Sequence, residues 1–366
     1  MMRSAVAKFG GSSLATASGI LRCLDLIKKH KYQAVIVSAN GKITQILDLL
    51  VLYHRQSNAP AFDQIWSKIW AIYDEILTEL AFNSIKTTRF IHILKALKAE
   101  FTVADYSDAF RDRVLAYGEY LSAFILNELG AFHFVPAAQL IKTNSLFGAA
   151  EPNISAIKQN MDHLVQARDF SVTPLLTQGF VGSDEQGHTT TLGFEGSDFS
   201  AALVAEAMQV PALTIWTDVT GIYTVDPRYV PEAPPIEKMS YAFAERISHY
   251  GARVLHPRTL EPLKRSGIPL WVQSSLDPGQ SGTLISEHHD DQHSVITYHQ
   301  SKVWLHHFDQ VTLRLLADRF PIEIALETFP YSLASVACHS CESFEITLKK
   351  IHDGWCDLKK ERKHAL

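Results

Sequence analysis

Lys8-Phe9-Gly10-Gly11-Ser12-Ser13 follows the apolar run Ala5-Val6-Ala7 and leads into a helical pattern. A short buried strand, a glycine pair and a helix in that order open a βαβ unit. Glycines at such a junction let backbone N–H groups approach an anion closely. The helix N-terminus adds positive potential, and Lys8 supplies a mobile full charge. The segment is suited to holding phosphate. A paired glycine after a strand is also an ordinary tight turn, and these six residues alone leave that choice open.

Outward from this junction, Ile20, Leu24 and Ile27 form one helical stripe, and 34–39 (AVIVSA) reads as a fully buried strand. A helix is expected over 43–53, then a polar break at 56–60. Phe62, Ile65, Ile69, Ile72 and Ile76 recur at helical spacing, as do Ile91, Leu94 and Leu97, so about 60–101 reads as an all-helical insertion. A long helix over 108–129 carries Glu119 near its middle. Further strands are expected at 132–137, 174–181, 213–217 and 270–272, and Ser197-Asp198 is placed to cap the helix containing 201–208. This alternation predicts an α/β fold with a mostly parallel central sheet covered by helices on both faces. The polar stretch 287–293 breaks every apolar pattern, so the first domain is set at 1–286. Beyond it, a strand over 295–306, a helix over 310–320, strands over 322–328 and 333–339 and a helix over 343–354 give a smaller α+β domain, 294–356. A basic tail, 357–366, reads as a solvated end.

With 366 residues, a net charge of −5 and a pI near 6.4, the chain lacks the broad basic face that nucleic acid requires. No window has the length of a membrane-spanning helix and no export signal is visible, so a cytoplasmic protein is expected. Cys23, Cys338, Cys341 and Cys356 do not make a disulfide framework. Cys338-x-x-Cys341 with His339, His352 and Cys356 is compatible with zinc, but Cys338 continues an apolar run that reads as a packed strand. Six histidines between His288 and His307 are irregularly spaced in a polar stretch, which favours an exposed linker and strand face. No metal-binding set is expected in the protein.

Six segments bear on function: KFGGSS from Lys8, YGEYLS from Tyr117, TNSLFGAAEPN from Thr143, TQGFVGSDEQGHTTTLG from Thr177, WTDVTGIYTVDPR from Trp216 and YGARVLHPRTL from Tyr250. In this order, and over nearly all of residues 1–285, the chain resembles the aspartokinases of the amino-acid kinase family. The resemblance implies an amino-acid-kinase fold with a helical insertion and one shortened ACT-like module in 294–356, assembled as a homodimer. It implies transfer of the γ-phosphoryl group of MgATP to L-aspartate, giving 4-phospho-L-aspartate, the entry step to lysine, threonine and methionine. The attacking carboxylate, with an unperturbed pKa of about 4, is already ionised at neutral pH. Catalysis then requires positioning and charge neutralisation rather than a general base.

By the same resemblance, Lys8 contacts the transferring phosphate, Gly10 and Gly11 donate backbone N–H groups beside Ser12, and Asp198 orients the lysine. Thr217, Asp218, Tyr223, Asp226, Arg228 and Arg253 match the nucleotide-binding positions, Arg253 standing where the family often has lysine. Ser38, Thr44, Glu119 and Ser197 match the substrate positions, Glu119 receiving the ammonium group. One departure matters: the family's LGRGGSD is here Leu192-Gly193-Phe194-Glu195-Gly196-Ser197-Asp198. Phe194 replaces the arginine expected at the substrate's α-carboxylate. Three readings follow: another cation compensates, with Arg111 and Arg113 as candidates; the substrate is a different carboxylate, such as glutamate or acetylglutamate; or the chain is a nucleotide-binding regulatory protein without turnover. Because Lys8, both glycines and Asp198 persist, phosphoryl transfer to aspartate is the expectation. The single incomplete sensor module is expected to give weak or absent inhibition by lysine.

Overall fold

The computed structural model describes residues 5–103, 106–252, 255–287, 289, 291, 293–299, 302–319, 333–337 and 344–364. Its elements are β1 Val6–Phe9, a 3-10 turn Ser12–Leu14, α1 Ala17–His30, β2 Ala34–Val37, α2 Ile43–Arg55, α3 Ala59–Glu79, α4 Ser84–Val103, α5 Asp108–Leu129, β3 His133–Phe134, α6 Ala137–Leu140, α7 Ile154–Ala167, β4 Leu175–Gln178, β5 Val181–Ser183, β6 Thr189–Thr191, α8 Gly196–Met208 and β7 Leu213–Thr217. They continue with β8 Ile222–Tyr223, β9 Pro235–Ile236, β10 Lys238–Ser240, α9 Tyr241–His249, α10 Pro257–Ser266, β11 Leu270–Ser274, β12 Thr283–Ser286, β13 Val295–His299, β14 Lys302–His306, α11 Gln310–Arg319, β15 Leu333–Ala337 and α12 Phe344–His364. None of the described helices is long and apolar enough to cross a membrane.

The chain forms two compact units, 1–219 with 258–280, and 220–257 with 281–366. The first contains a parallel run of strands in the order β11-β7-β1-β2-β4-β3. β1, β2 and β4 are buried along their whole length, as strands covered on both faces must be. β1 pairs with β2 on one side and β7 on the other, and the chain reverses its direction of travel through the sheet there. In open parallel sheets, ligands bind outside the carboxyl ends of strands at such a reversal. Lys8 sits near that end of β1, level with Ile36 and Ile215. The helical insertion is present as α3 and α4, whose Trp66, Ile69, Tyr73, Phe90, Leu94 and Leu97 join the same core as α5.

The second unit holds the parallel pair β10-β12, the ribbon β8-β9 and an antiparallel sheet β13-β14-β15 with α11 and α12. Segment 220–257, assigned from sequence to the first domain, belongs to this unit because Val225, Val230 and Ala233 share a core with Ile296, Leu305, Phe308 and Trp355.

Several expected elements differ. The run 174–181 is two strands, broken at Phe180 with φ +66°. The strand at 132–137 is reduced to two residues, and α6 begins directly after Pro136. The run 295–306 is a hairpin, since alternation in both arms conceals the reversal between them. The expected solvated tail lies largely within α12, where Leu358 is buried. His306, expected on an exposed face, is fully buried with its Nε2 2.9 Å from the Thr297 hydroxyl. The expected strand 322–328 and the Cys338–Cys341 pair lie outside the described residues.

Candidate active site

Lys8 is 7 % exposed, and its Nζ lies 2.7 Å from Asp198 Oδ1. Burying an ammonium is costly unless a carboxylate meets it, and breaking such a pair strands the remaining charge. Asp198 comes from the first turn of α8. Ser197 and Asp198 do not cap that helix as expected: Glu195, at φ +53°, is the N-cap, which leaves the Asp198 carboxylate free to turn toward Lys8. The helix N-terminus and Lys8 therefore converge at the end of β1, the arrangement that attracts phosphate.

The turn after β1 is tightly constrained. A Cβ on Gly11 would stand 2.7 Å from Gly41 O and 2.8 Å from Ala39 O, so only glycine fits. Gly10 departs from its expected role: its N–H donates to Trp216 O at 3.0 Å and is committed to the strand edge. Ser12 is exposed at the start of the 3-10 turn. The Ser13 hydroxyl meets the Ser275 hydroxyl at 2.7 Å, and Ser275 Oγ donates to Thr217 O at 3.1 Å, which ties this turn to the ends of β7 and β11. Thr217 and Asp218 stand at the end of β7, the threonine hydroxyl donating to the aspartate at 3.0 Å.

On the other side of β1, α5 brings Glu119 to the loop after β2. Gly118 makes this possible, because a Cβ there would lie 2.9 Å from the Ala39 Cβ. The Ala39 N–H donates to Glu119 Oε1 at 3.2 Å, while the buried Oε2 has no hydrogen-bond partner. Burial pushes the Glu119 carboxyl up to about 8, and the Ala39 N–H, the Lys8 charge and the Thr44 hydroxyl pull the other way without cancelling it. A buried carboxylate with one unmatched oxygen is a receptor for a cation that brings its own donors. The Thr44 hydroxyl reaches it from the first turn of α2, Ser38 is half-buried on the β2–α2 loop, and Ser197 is buried one residue before Asp198.

The sequence reading missed Asn40, which is 1 % exposed. Its Nδ2 donates to Leu14 O at 2.7 Å, while its Oδ1 accepts from Ser122 at 2.7 Å and from the Tyr73 hydroxyl at 3.3 Å. Burial, with the Glu119 charge adding, pushes the Tyr73 hydroxyl well above its ordinary range, so it keeps its proton to donate. Asn40 thereby joins the phosphate turn, the insertion and α5. Ser13, Ser275 and Asp112 were missed too, since a polar residue inside an apolar pattern announces burial but not its partner.

Phe194 is 79 % exposed. The two arginines suggested to replace it each engage an acid through Nε in a partly exposed pair. Arg111 Nε pairs with Asp48 at 2.7 Å and Arg113 Nε with Glu100 at 3.2 Å. A cation bound to the Phe194 loop is Arg258 of α10, whose Nη1 donates to Leu192 O at 3.0 Å and whose guanidinium lies 4.6 Å from the centre of the Phe199 ring.

Tyr223, Asp226 and Arg228 belong to the second unit. Tyr223 lies in β8, and Arg228 forks onto Asp226, with Nη2 2.5 Å from Oδ2. Arg253 lies outside the described residues.

A parallel sheet whose central strand delivers a carboxylate-paired lysine beside a glycine turn defines a class of phosphoryl-group-binding α/β proteins. The chain belongs to the amino acid kinase family, whose sequence profile matches residues 3–274. It is 36 % identical over 293 residues to lysine-sensitive aspartokinase 3 of Escherichia coli K12, an alignment covering 78 % of this chain and 64 % of that protein. It is 35 % identical over 292 residues to the aspartokinase of Chlamydia pneumoniae, covering 78 % and 63 %. The chain thus spans slightly less than two thirds of the length of these relatives. Its fold is similar to the crystal structure of E. coli aspartokinase III in complex with aspartate and ADP, with a TM-score of 0.74 at 29 % identity over 91 % of this chain and 78 % of that one.

Proposed function

We propose that this protein is an aspartate kinase, transferring the γ-phosphoryl group of ATP to the β-carboxylate of L-aspartate. The observation that carries this reading is the buried Lys8–Asp198 pair at the end of the central strand, with the incompletely satisfied Glu119 carboxylate close enough to feel the Lys8 charge. The E. coli structure with aspartate and ADP supports the choice of acceptor and nucleotide.

In this reading the phosphate turn and the α8 N-terminus hold the nucleotide's phosphates. Lys8 neutralises the oxygens of the phosphoryl group in transit, and Asp198 aims the lysine without removing its proton. Glu119 takes the acceptor's ammonium, with Ser38, Thr44 and Ser197 lining its approach. The acceptor oxygen is already anionic, so geometry and charge carry the rate. Magnesium bound with the nucleotide would add charge neutralisation on the phosphates beside Lys8. Thr217, Asp218, Tyr223, Asp226, Arg228 and Arg253 are proposed nucleotide contacts on the strength of the motif they share with aspartokinases. The protein is further proposed to be cytoplasmic and homodimeric, the latter tested by light scattering. Its C-terminal region is proposed as a shortened ACT-like module with weak or absent inhibition by lysine or threonine, tested by titrating each during turnover.

The primary experiment is coupled detection of ADP with aspartate, with glutamate and without acceptor. Aspartate-dependent turnover that is lost in Lys8→Ala supports the reading. Turnover with glutamate alone reassigns the acceptor, and nucleotide binding without any turnover replaces the enzyme with a regulatory protein.

A further inference from the structure

Asp112 is fully buried on α5, seven residues and therefore two helical turns before Glu119, on the same face. Its carboxylate collects three donors, one from the loop carrying Gly148 and two from Thr191 at the end of β6. Oδ2 accepts the Gly148 N–H at 2.9 Å and the Thr191 N–H at 2.7 Å, and Oδ1 accepts the Thr191 hydroxyl at 2.8 Å. The same loop also meets the end of β6 directly, the Ala150 N–H donating to Thr191 O at 2.8 Å. Immediately beyond Thr191 the chain turns through Gly193 to Glu195, both at positive φ, and enters α8 with Ser197 and Asp198.

We infer that Asp112 is a positioning residue for the acceptor half of the site. From the helix that carries Glu119, it fixes where the 191–198 segment places Ser197 and Asp198. This rests on reading the site as an acceptor site. The two ends of an amino-acid acceptor are then held at a separation set by one rigid element, α5, rather than by two independent loops.

A carboxylate suits this task better than an amide. Two N–H groups and a hydroxyl converge on it, and asparagine offers one acceptor oxygen while turning an NH2 toward at least one of those donors. A segment held by one or two donors fewer shifts Asp198 by fractions of an ångström, enough to misplace Lys8 and the acceptor. Adhesive strength alone would appear as lower stability with unchanged affinity for the acceptor.

Asp112→Asn and Thr191→Val test this, the latter removing only the hydroxyl donor and serving if the former does not fold. Steady-state kinetics and hydrogen exchange are measured on both and on the natural protein. The expected result for Asp112→Asn is a tenfold or greater rise in KM for aspartate with KM for ATP within twofold, and a smaller rise of the same kind for Thr191→Val. Unchanged aspartate KM and kcat in folded variants would overturn the inference, whatever happens to melting temperature. If the natural protein shows no acceptor-dependent turnover, the functional reading fails separately. Exchange at residues 191–198 then decides: faster exchange there with β1 still protected supports the clamp, and unchanged exchange rejects it.

Discussion

At residue 194 the chain places an exposed phenylalanine where the aspartokinase pattern has arginine, and both arginines on the neighbouring turn of α5 are already paired with acids. A charge-assisted hydrogen bond to a carboxylate contributes roughly 1.5–3 kcal/mol, so its absence should appear as weak acceptor binding rather than slow chemistry. Phe194→Arg is accordingly expected to lower KM for aspartate about tenfold, with kcat changed far less; an unchanged KM would show that the acceptor's second carboxylate is met elsewhere. The next residue makes a separate point. Glu195 holds φ +53° with a side chain, and left-handed backbone costs a non-glycine residue roughly 1 kcal/mol. Glu195→Gly should raise the melting temperature by a degree or more, read by calorimetry. A fall would mean that the Glu195 side chain contributes more than its backbone costs.

The element that organises the site is α5. It meets the β2–α2 loop so closely at Gly118 that an added methyl would stand 2.9 Å from the Ala39 Cβ, and this closeness is what delivers Glu119 to the Ala39 N–H. Overpacking there costs roughly 1–3 kcal/mol, and parting of the helix from the β2–α2 loop to relieve it draws Glu119 away from the Ala39 N–H. Gly118→Ala is therefore expected to raise KM for aspartate at least tenfold while the protein remains folded by circular dichroism, and an unaltered KM would separate Glu119 from acceptor binding. The elements themselves were largely legible. Helical periodicity marks α2, α3, α4 and α5 within a few residues, and the apolar runs mark β2 and β7, because an element buried on a consistent face writes that face into its spacing. Boundaries set by a single backbone angle, as at Phe180, or by a reversal between two alternating arms, as in 295–306, leave no such trace. The same contrast holds within the site. Lys8, Gly11 and Asp198 stand out beside a motif, whereas Asn40, Asp112 and Ser275 work through partners that are distant in sequence.

For the whole molecule, two buried titratable groups bend stability with pH in opposite directions. Glu119 is raised to about 8 in the folded protein from an ordinary 4.5. Its stabilising contribution is full below 4.5 and is lost as pH rises through 8, because the unfolded chain releases this proton first. His306, in the second unit, is lowered to about 3 from 6.5 by burial, with the Arg246 charge adding. The unfolded chain takes up that proton first as pH falls below 6.5, so its penalty grows from there toward 3. In the absence of acceptor, the first unit should therefore melt several degrees lower at pH 8.5 than at pH 5.5, and Glu119→Gln should remove most of that difference while leaving the acid-side loss in place. An ammonium group seated on Glu119 reverses the alkaline penalty by favouring the anion, so aspartate binding near pH 7 must expel a proton from a carboxyl that is mostly protonated beforehand. Titration calorimetry in buffers of different ionisation enthalpy should show release approaching one proton per site at pH 7 and fading above pH 9. Binding at pH 7 without proton release would place the ammonium somewhere other than Glu119.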